Sequence, residues 1–147
     1  MIKNLKLYER VLIVVDMVNG FVYSGLLHDI ECSKIIPRQK EIIDDYLDNG
    51  DLVVFIKDTH TKESTEFERF GNTAHCLENN SESELVKELQ QFENDEDTIS
   101  IRKNSTSFME APEFRELMKK QTNMNEFDIV GCCTDICVAN GTIALAN

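Results

Sequence analysis

Two uninterrupted apolar runs, Val11–Val15 and Leu52–Ile56, constrain this chain more than any other feature of its sequence. Both are short and rich in β-branched residues, and no polar residue interrupts either one. A strand with one face in water alternates polar and apolar residues. A run that is apolar at each position must be buried on both faces, as in a parallel sheet covered by helices. A helix is predicted between the two runs, from Pro37 to Asp48. Pro37 suits the first turn, Ile42, Ile43, Tyr46 and Leu47 share a face, and Gly50 suits the C-terminal cap. The alternation continues. Ser83–Phe92 carries Leu85, Leu89 and Phe92 at helical spacing, and Thr98–Arg102 reads as a third strand. Pro112–Lys120 presents Phe114, Leu117 and Met118 on one face, Phe127–Val130 is a fourth strand, and the chain from Thr134 onward reads as helical. Strands alternating with helices pair in parallel through right-handed crossovers. The expected fold is therefore α/β, a three-layer α/β/α arrangement around a mainly parallel sheet.

The chain has 147 residues, enough for one domain, 1–147, and too few for two ordinary ones. Its 41% hydrophobic and 29% charged residues fit a packed globular chain. The net charge of −12, without a basic cluster, argues against a nucleic-acid partner and fits a small-molecule substrate. The run Val11–Val15 is far too short to span a membrane and is stopped by Asp16. The five cysteines are an odd number and no secretion signal is evident, so reduced thiols in a cytoplasmic setting are expected rather than a disulfide framework, and the lack of a C-x-x-C pair argues against a zinc knuckle.

In an open parallel sheet, ligands bind at the carboxyl ends of the strands. Each predicted strand here ends in a reactive group. Asp16 follows the first, Asp58 and His60 the second, Lys103 the third, and Gly131-Cys-Cys-Thr-Asp-Ile-Cys137 the fourth. Taken singly, each has a plainer reading: a turn former, a surface lysine, a small buried hydrophobe, exposed loop histidines. Their joint occurrence at one rim carries the argument. Cys137, in the first turn of a helix, would be favoured as a thiolate by unpaired N–H groups, which also suit an oxyanion. A thiol nucleophile needs a group to take and return its proton. Asp16, at the end of an apolar strand, is the candidate, with Lys103 as its counter-charge. If the chain stays extended past Ile56, Asp58 and His60 point the same way, and His75 can return from the long 58–80 loop to join them. An Asp, His, His set with open positions suits a divalent metal, zinc first, with manganese or iron as alternatives. His28 reads as a surface residue.

These segments resemble the isochorismatase-like cysteine hydrolases, and among them the nicotinamidase (pyrazinamidase-like) branch. The likeness lies in Val15-Asp16-Met-Val-Asn-Gly-Phe21 with Gly25, in Asp58-Thr-His60, in Glu66-Phe followed by His75-Cys, in Arg102-Lys103-Asn-Ser-Thr-Ser-Phe108, and in Gly131-Cys-Cys-Thr-Asp-Ile-Cys137-Val138. It runs in order along nearly the whole chain. The resemblance implies the isochorismatase-like hydrolase fold and a catalytic triad of Asp16, Lys103 and Cys137. It also implies metal ligands Asp58, His60 and His75, with Glu66 as a further carboxylate in some members. Phe21 would pack on the substrate ring. A cis peptide between Cys132 and Cys133 would turn the backbone N–H groups of Cys133 and Cys137 toward an oxyanion. Two departures stand out. Gly71-Asn-Thr-Ala-His75 replaces the Pro-Pro common before this histidine in nicotinamidases. Family chains also continue for another strand or two, so a C-terminally truncated form is expected here, with an exposed sheet edge and oligomerisation (a homo-oligomer) covering apolar surface.

The expected activity is hydrolysis of nicotinamide to nicotinate and ammonia through a thioester, a step of NAD salvage. The alternatives are a related hydrolase acting on another small amide, carbamoyl compound or vinyl ether, or a truncated non-catalytic form. A thiol redox role is a weaker option, because Cys132, Cys133 and Cys137 lack a redox spacing.

Overall fold

The computed structural model describes residues 6–132 and 138–146. Cys133 and Cys137, and with them the expected cis peptide and the oxyanion-binding N–H groups, lie outside the described residues. The sheet contains β1 (Arg10–Val15), β2 (Leu52–Asp58), β3 (Thr98–Lys103) and β4 (Glu126–Gly131), ordered β3-β2-β1-β4. Each pair is parallel, with Val11 opposite Leu52 and Phe127, and Asp58 opposite Lys103. The helices are α1 (Asn19–Val22), α2 (Ile36–Asp48), α3 (Lys87–Gln90), α4 (Pro112–Lys120) and α5 (Ala139–Ala146).

The continuous apolar runs do what their pattern demands. β1 from Val11 onward and all of β2 are buried on both faces. Leu12, Val14, Val53 and Phe55 face Ile36, Ile43 and Tyr46 of α2 together with Leu85, Leu89 and Phe92. Val11, Ile13, Val15, Val54, Ile56, Ile99 and Ile101 face Phe108 and α4's Phe114 and Leu117, and Val138 and Leu145 pack partly on this side. The three-layer α/β/α arrangement follows. The outer strand β4 is half-exposed along its length.

One element departs from expectation. The stretch Ser83–Phe92 is not a continuous helix. Its only α-helical turn is α3, and Ser81–Ser83 is a separate 3-10 turn. The cause is a competing use of its backbone. Glu84 O accepts from Asn19 N at 2.9 Å, Val86 N donates to Met17 O at 2.9 Å, and Leu85 forms an antiparallel bridge with Val18. Hydrogen bonds to the segment leaving β1 replace those of a first helical turn, and the apolar side chains Leu85 and Leu89 remain buried all the same.

Strand order reverses beside β1. β2 and β3 extend the sheet to one side, and the chain then crosses back to place β4 on the other. The crevice at the carboxyl ends of β1 and β4 is thus the topological switch point, where open α/β sheets bind ligands. The exits of both strands meet there. Cys132 N donates to Val15 O at 3.1 Å and Cys132 Sγ to Asp16 O at 2.8 Å. Gly131 permits this approach. Its φ is +148°, and a Cβ there would lie 2.2 Å from the Val15 carbonyl oxygen.

Candidate active site and metal centre

Asp16 sits one residue past β1, fully buried, with φ +56°. Left-handed backbone is uncommon outside glycine, although Asp tolerates it better than bulky residues. The conformation is held from two sides, by Asp16 N donating to Ile56 O at 2.9 Å and by the Cys132 contact to Asp16 O. Strain held in place in this way clusters at functional positions.

Asp58 and Lys103 lie inside β2 and β3 rather than after them. They are register partners, so their side chains share one face of the sheet. Lys103 Nζ lies 3.0 Å from Asp16 Oδ2 and 3.1 Å from Asp58 Oδ1, and it donates to Ser105 O at 2.8 Å. The lysine side chain is only 1% exposed, so its charge is compensated inside the protein and not by water. The sequence suggested Lys103 as the partner of Asp16. It did not suggest that the same ammonium also holds Asp58.

The other oxygen of Asp58 faces the histidines. Asp58 Oδ2 is 2.8 Å from His60 Nε2 and 3.4 Å from His75 Nε2. Ligand atoms of Asp58, His60 and His75 all lie within 4.8 Å of one another, and all three residues are buried. His60 reaches its place because the chain stays extended past β2, with His60 N donating to Cys76 O at 2.9 Å. That bond ties the loop's returning segment to its exit and brings His75 alongside.

Both imidazoles are fixed at their far nitrogens. His75 Nδ1 lies 2.9 Å from Thr73 O, and His60 Nδ1 lies 2.9 Å from Ser64 Oγ. A carbonyl only accepts, so the Nδ1 proton of His75 points at Thr73. In the neutral ring, Nε2 then turns a lone pair toward a carboxylate oxygen. Two electron-pair donors facing each other call for a cation between them, either a proton or a metal ion. Without a metal, the proton answers. Burial lowers the pKa of His75, but the Asp58 carboxylate and the Thr73 carbonyl outweigh it and raise the pKa above the ordinary imidazole value. With a metal, ligand atoms around a tetrahedral zinc stand about 3.4 Å apart; here Asp58 Oδ2 lies 2.8 and 3.4 Å from the two imidazole nitrogens and all the ligand atoms fall within 4.8 Å. The donor set therefore fits a divalent ion.

Glu66, the further carboxylate the resemblance implies, falls outside the set of ligand atoms within 4.8 Å of one another but lines the same cleft as His60. It lies on a 3-10 turn, Thr65–Phe70, with Oε1 3.6 Å from Arg69. Phe21 is buried, with its ring 5.8 Å from that of His75. Phe67 and Phe70 are additional aromatics that the sequence reading missed. The Phe67 ring lies 5.3 Å from His60 and 5.2 Å from His75, and Phe70 lies 5.2 Å from His75. Their spacing of three residues was the available signal, since a 3-10 turn stacks i and i+3 on one side. A cleft of about 750 Å³ opens beside the group, lined by His60, Ser64, Glu66, Lys103, Ser105 and Thr106 among others. His28 is exposed, with Nδ1 2.6 Å from Gly25 O.

The isochorismatase domain profile matches residues 10–147 of the chain. The chain belongs to the isochorismatase family. Nicotinamidase 1 of Arabidopsis thaliana is 29% identical over 140 residues, a match covering 86% of this chain and 56% of that protein. The chain thus spans little more than half the length of that relative. The crystal structure of the Pyrococcus horikoshii pyrazinamidase in complex with zinc superposes with a TM-score of 0.78 at 29% identity, covering 94% of this chain and 79% of that one. An N-carbamoylsarcosine amidase from Thermoplasma acidophilum shares the fold, with a TM-score of 0.80 at 23% identity over 92% of this chain and 75% of that one. Among the described residues, no helix of this isochorismatase-family chain is long and apolar enough to cross a membrane.

Proposed function

We propose that the chain hydrolyses nicotinamide to nicotinate and ammonia, with Cys137 as nucleophile, Asp16 as proton carrier and Lys103 as the cation that positions Asp16. The observation that carries this reading is the placement of Lys103 Nζ, 3.0 Å from Asp16 and 3.1 Å from Asp58. One buried ammonium joins a carboxylate at the β1/β4 switch point to a group suited to a divalent ion. Asp58, His60 and His75 would hold that ion, zinc by first choice. When bound, it supplies a Lewis-acid anchor for a heteroaromatic nitrogen. The rings of Phe21, Phe67 and Phe70 around His75 offer an apolar wall for a flat ring.

The proton steps fall to the chain's own residues. Asp16 takes the proton of Cys137, and the sulfur attacks the amide carbon. The C–N bond breaks as Asp16 returns the proton to the leaving nitrogen, which departs as ammonia. Asp16 then removes a proton from water, which attacks the thioester, and the thiol is restored with that proton. Throughout, Lys103 balances the buried negative charge. Cys132, the last described residue after β4, donates from Sγ to Asp16 O at 2.8 Å, so the exit of that strand lies against the proposed proton carrier.

The test compares nicotinamide with benzamide, which keeps the carboxamide and lacks the ring nitrogen. Zinc-loaded protein is expected to release ammonia from nicotinamide and to discriminate strongly against benzamide. Equal turnover of both amides, or full activity after metal removal, contradicts the anchoring role. Turnover of another small carbamoyl compound in place of nicotinamide would keep the triad and change the substrate.

A further inference from the structure

Lys103 stands between two buried carboxylates to which the proposed reaction gives different tasks. It occupies Asp58 Oδ1 at 3.1 Å, while Asp58 Oδ2 alone faces His60 and His75. The same ammonium lies 3.0 Å from Asp16 Oδ2, and Ser105 O at 2.8 Å fixes the lysine from a third direction. The side chains of Asp16, Asp58 and Lys103 are 0%, 5% and 1% exposed. Water therefore screens none of them well, and each charge is felt by its neighbours.

We propose that Lys103 limits the hold of the metal site: it keeps one oxygen of Asp58 out of the coordination shell and offsets part of the carboxylate charge that would otherwise bind the ion. The inference rests on the reading of Asp58, His60 and His75 as metal ligands. Among the described residues, Asp16, Asp58 and Lys103 together carry a single net negative charge, beside the two imidazoles that would share the ion with Asp58. A divalent ion then meets a carboxylate already shared with another cation. The consequence is one-oxygen binding by Asp58 and coordination positions left open, as a catalytic site requires and a closed structural site does not.

This role has a signature opposite to that of a structural prop. Removing a residue that merely shapes a site weakens metal binding. Removing a charge-limiting cation strengthens it. Zinc affinity is to be measured by competition with a chromophoric chelator in the wild-type chain, Lys103→Met, Lys103→Gln and Asp16→Asn, with circular dichroism confirming the fold of each. Lys103→Gln can keep a hydrogen bond to Asp58 Oδ1 without the charge, and covers the case in which Lys103→Met does not fold. Both lysine variants are expected to bind zinc at least fivefold more tightly. Asp16→Asn leaves the ammonium undivided toward Asp58 and is expected to bind at least fivefold more weakly. Zinc addition should raise the melting temperature most in the lysine variants. Lysine variants that are folded and bind zinc equally or more weakly overturn the inference, as does an unchanged Asp16→Asn. Nicotinamide turnover is scored apart, so a failure of the reaction reading shows as missing ammonia while the zinc comparison still stands or falls by itself. A wild-type chain that takes up no zinc overturns both.

Discussion

Asp58 serves different partners on its two oxygens, an ammonium on one and a pair of imidazoles on the other. Burial favours its neutral form, but hydrogen bonds from His60 and His75 and the charge of Lys103 outweigh burial and hold the carboxyl well below the usual carboxylate range. A depressed native pKa means that the unfolded chain binds the proton more readily. The stabilisation is therefore complete above the ordinary carboxylate range and is lost as pH falls through it toward the native value. His75 runs the other way. Its pKa is raised, so its contribution is complete below the ordinary imidazole range and is lost as pH rises through the native value. Chelator-treated protein is thus predicted to have a stability maximum between these two ranges, read from urea denaturation across pH. Asp58→Asn should flatten that maximum, and an unchanged profile in the variant would remove Asp58 as its source. Gly131 makes a second residue-scale prediction. Its Cβ position is 2.2 Å from Val15 O at a φ of +148°, so Gly131→Ala should cost about 3 kcal/mol by urea denaturation. A variant as stable as the parent would show that the β1/β4 exits are not so tightly apposed.

Among the elements, legibility followed local self-sufficiency. β1 and β2 could be read because a fully apolar run admits few other fates, and α2 and α4 because Pro37 and Pro112 open clear amphipathic stretches. Ser83–Phe92 could not, because what displaces its first turn is a set of bonds to Met17, Val18 and Asn19, more than sixty residues away in sequence. The long loop's own turn, with Phe67 and Phe70 against the histidines, was hidden for a similar reason: its packing partners come from elsewhere in the chain. After that loop, the connection into β3 is secured by charge. Lys57 Nζ is 3.2 Å from Glu93 Oε2, which also accepts from Ser100 Oγ at 2.8 Å. Lys57 is 8% exposed and Glu93 24%. Glu93→Gln should therefore cost about 2 to 3 kcal/mol by leaving a nearly buried ammonium without its counter-charge, less than for a fully buried pair. Chemical denaturation at neutral pH checks this, and a change within error would mean that Lys57 finds solvent in the variant.

At the scale of the molecule, the site follows from topology. Parallel strands bring their carboxyl ends to one rim, and the reversal of strand order opens the crevice beside Asp16. This much was readable, since Asp16, Asp58, His60 and Lys103 all fall at or near strand ends and the structure brings them together with His75. The sharing of Lys103 between two carboxylates was not, because it depends on the β2–β3 register that sets Asp58 opposite Lys103. Register is a property of the assembled sheet, not of either strand's sequence. If this rim serves the proposed cysteine-driven amide hydrolysis, the zinc-loaded chain must release ammonia from nicotinamide. Steady release is expected from the wild type, and a loss of at least a thousandfold in both Cys137→Ala and Asp16→Asn. Release that persists in folded Cys137→Ala would contradict it.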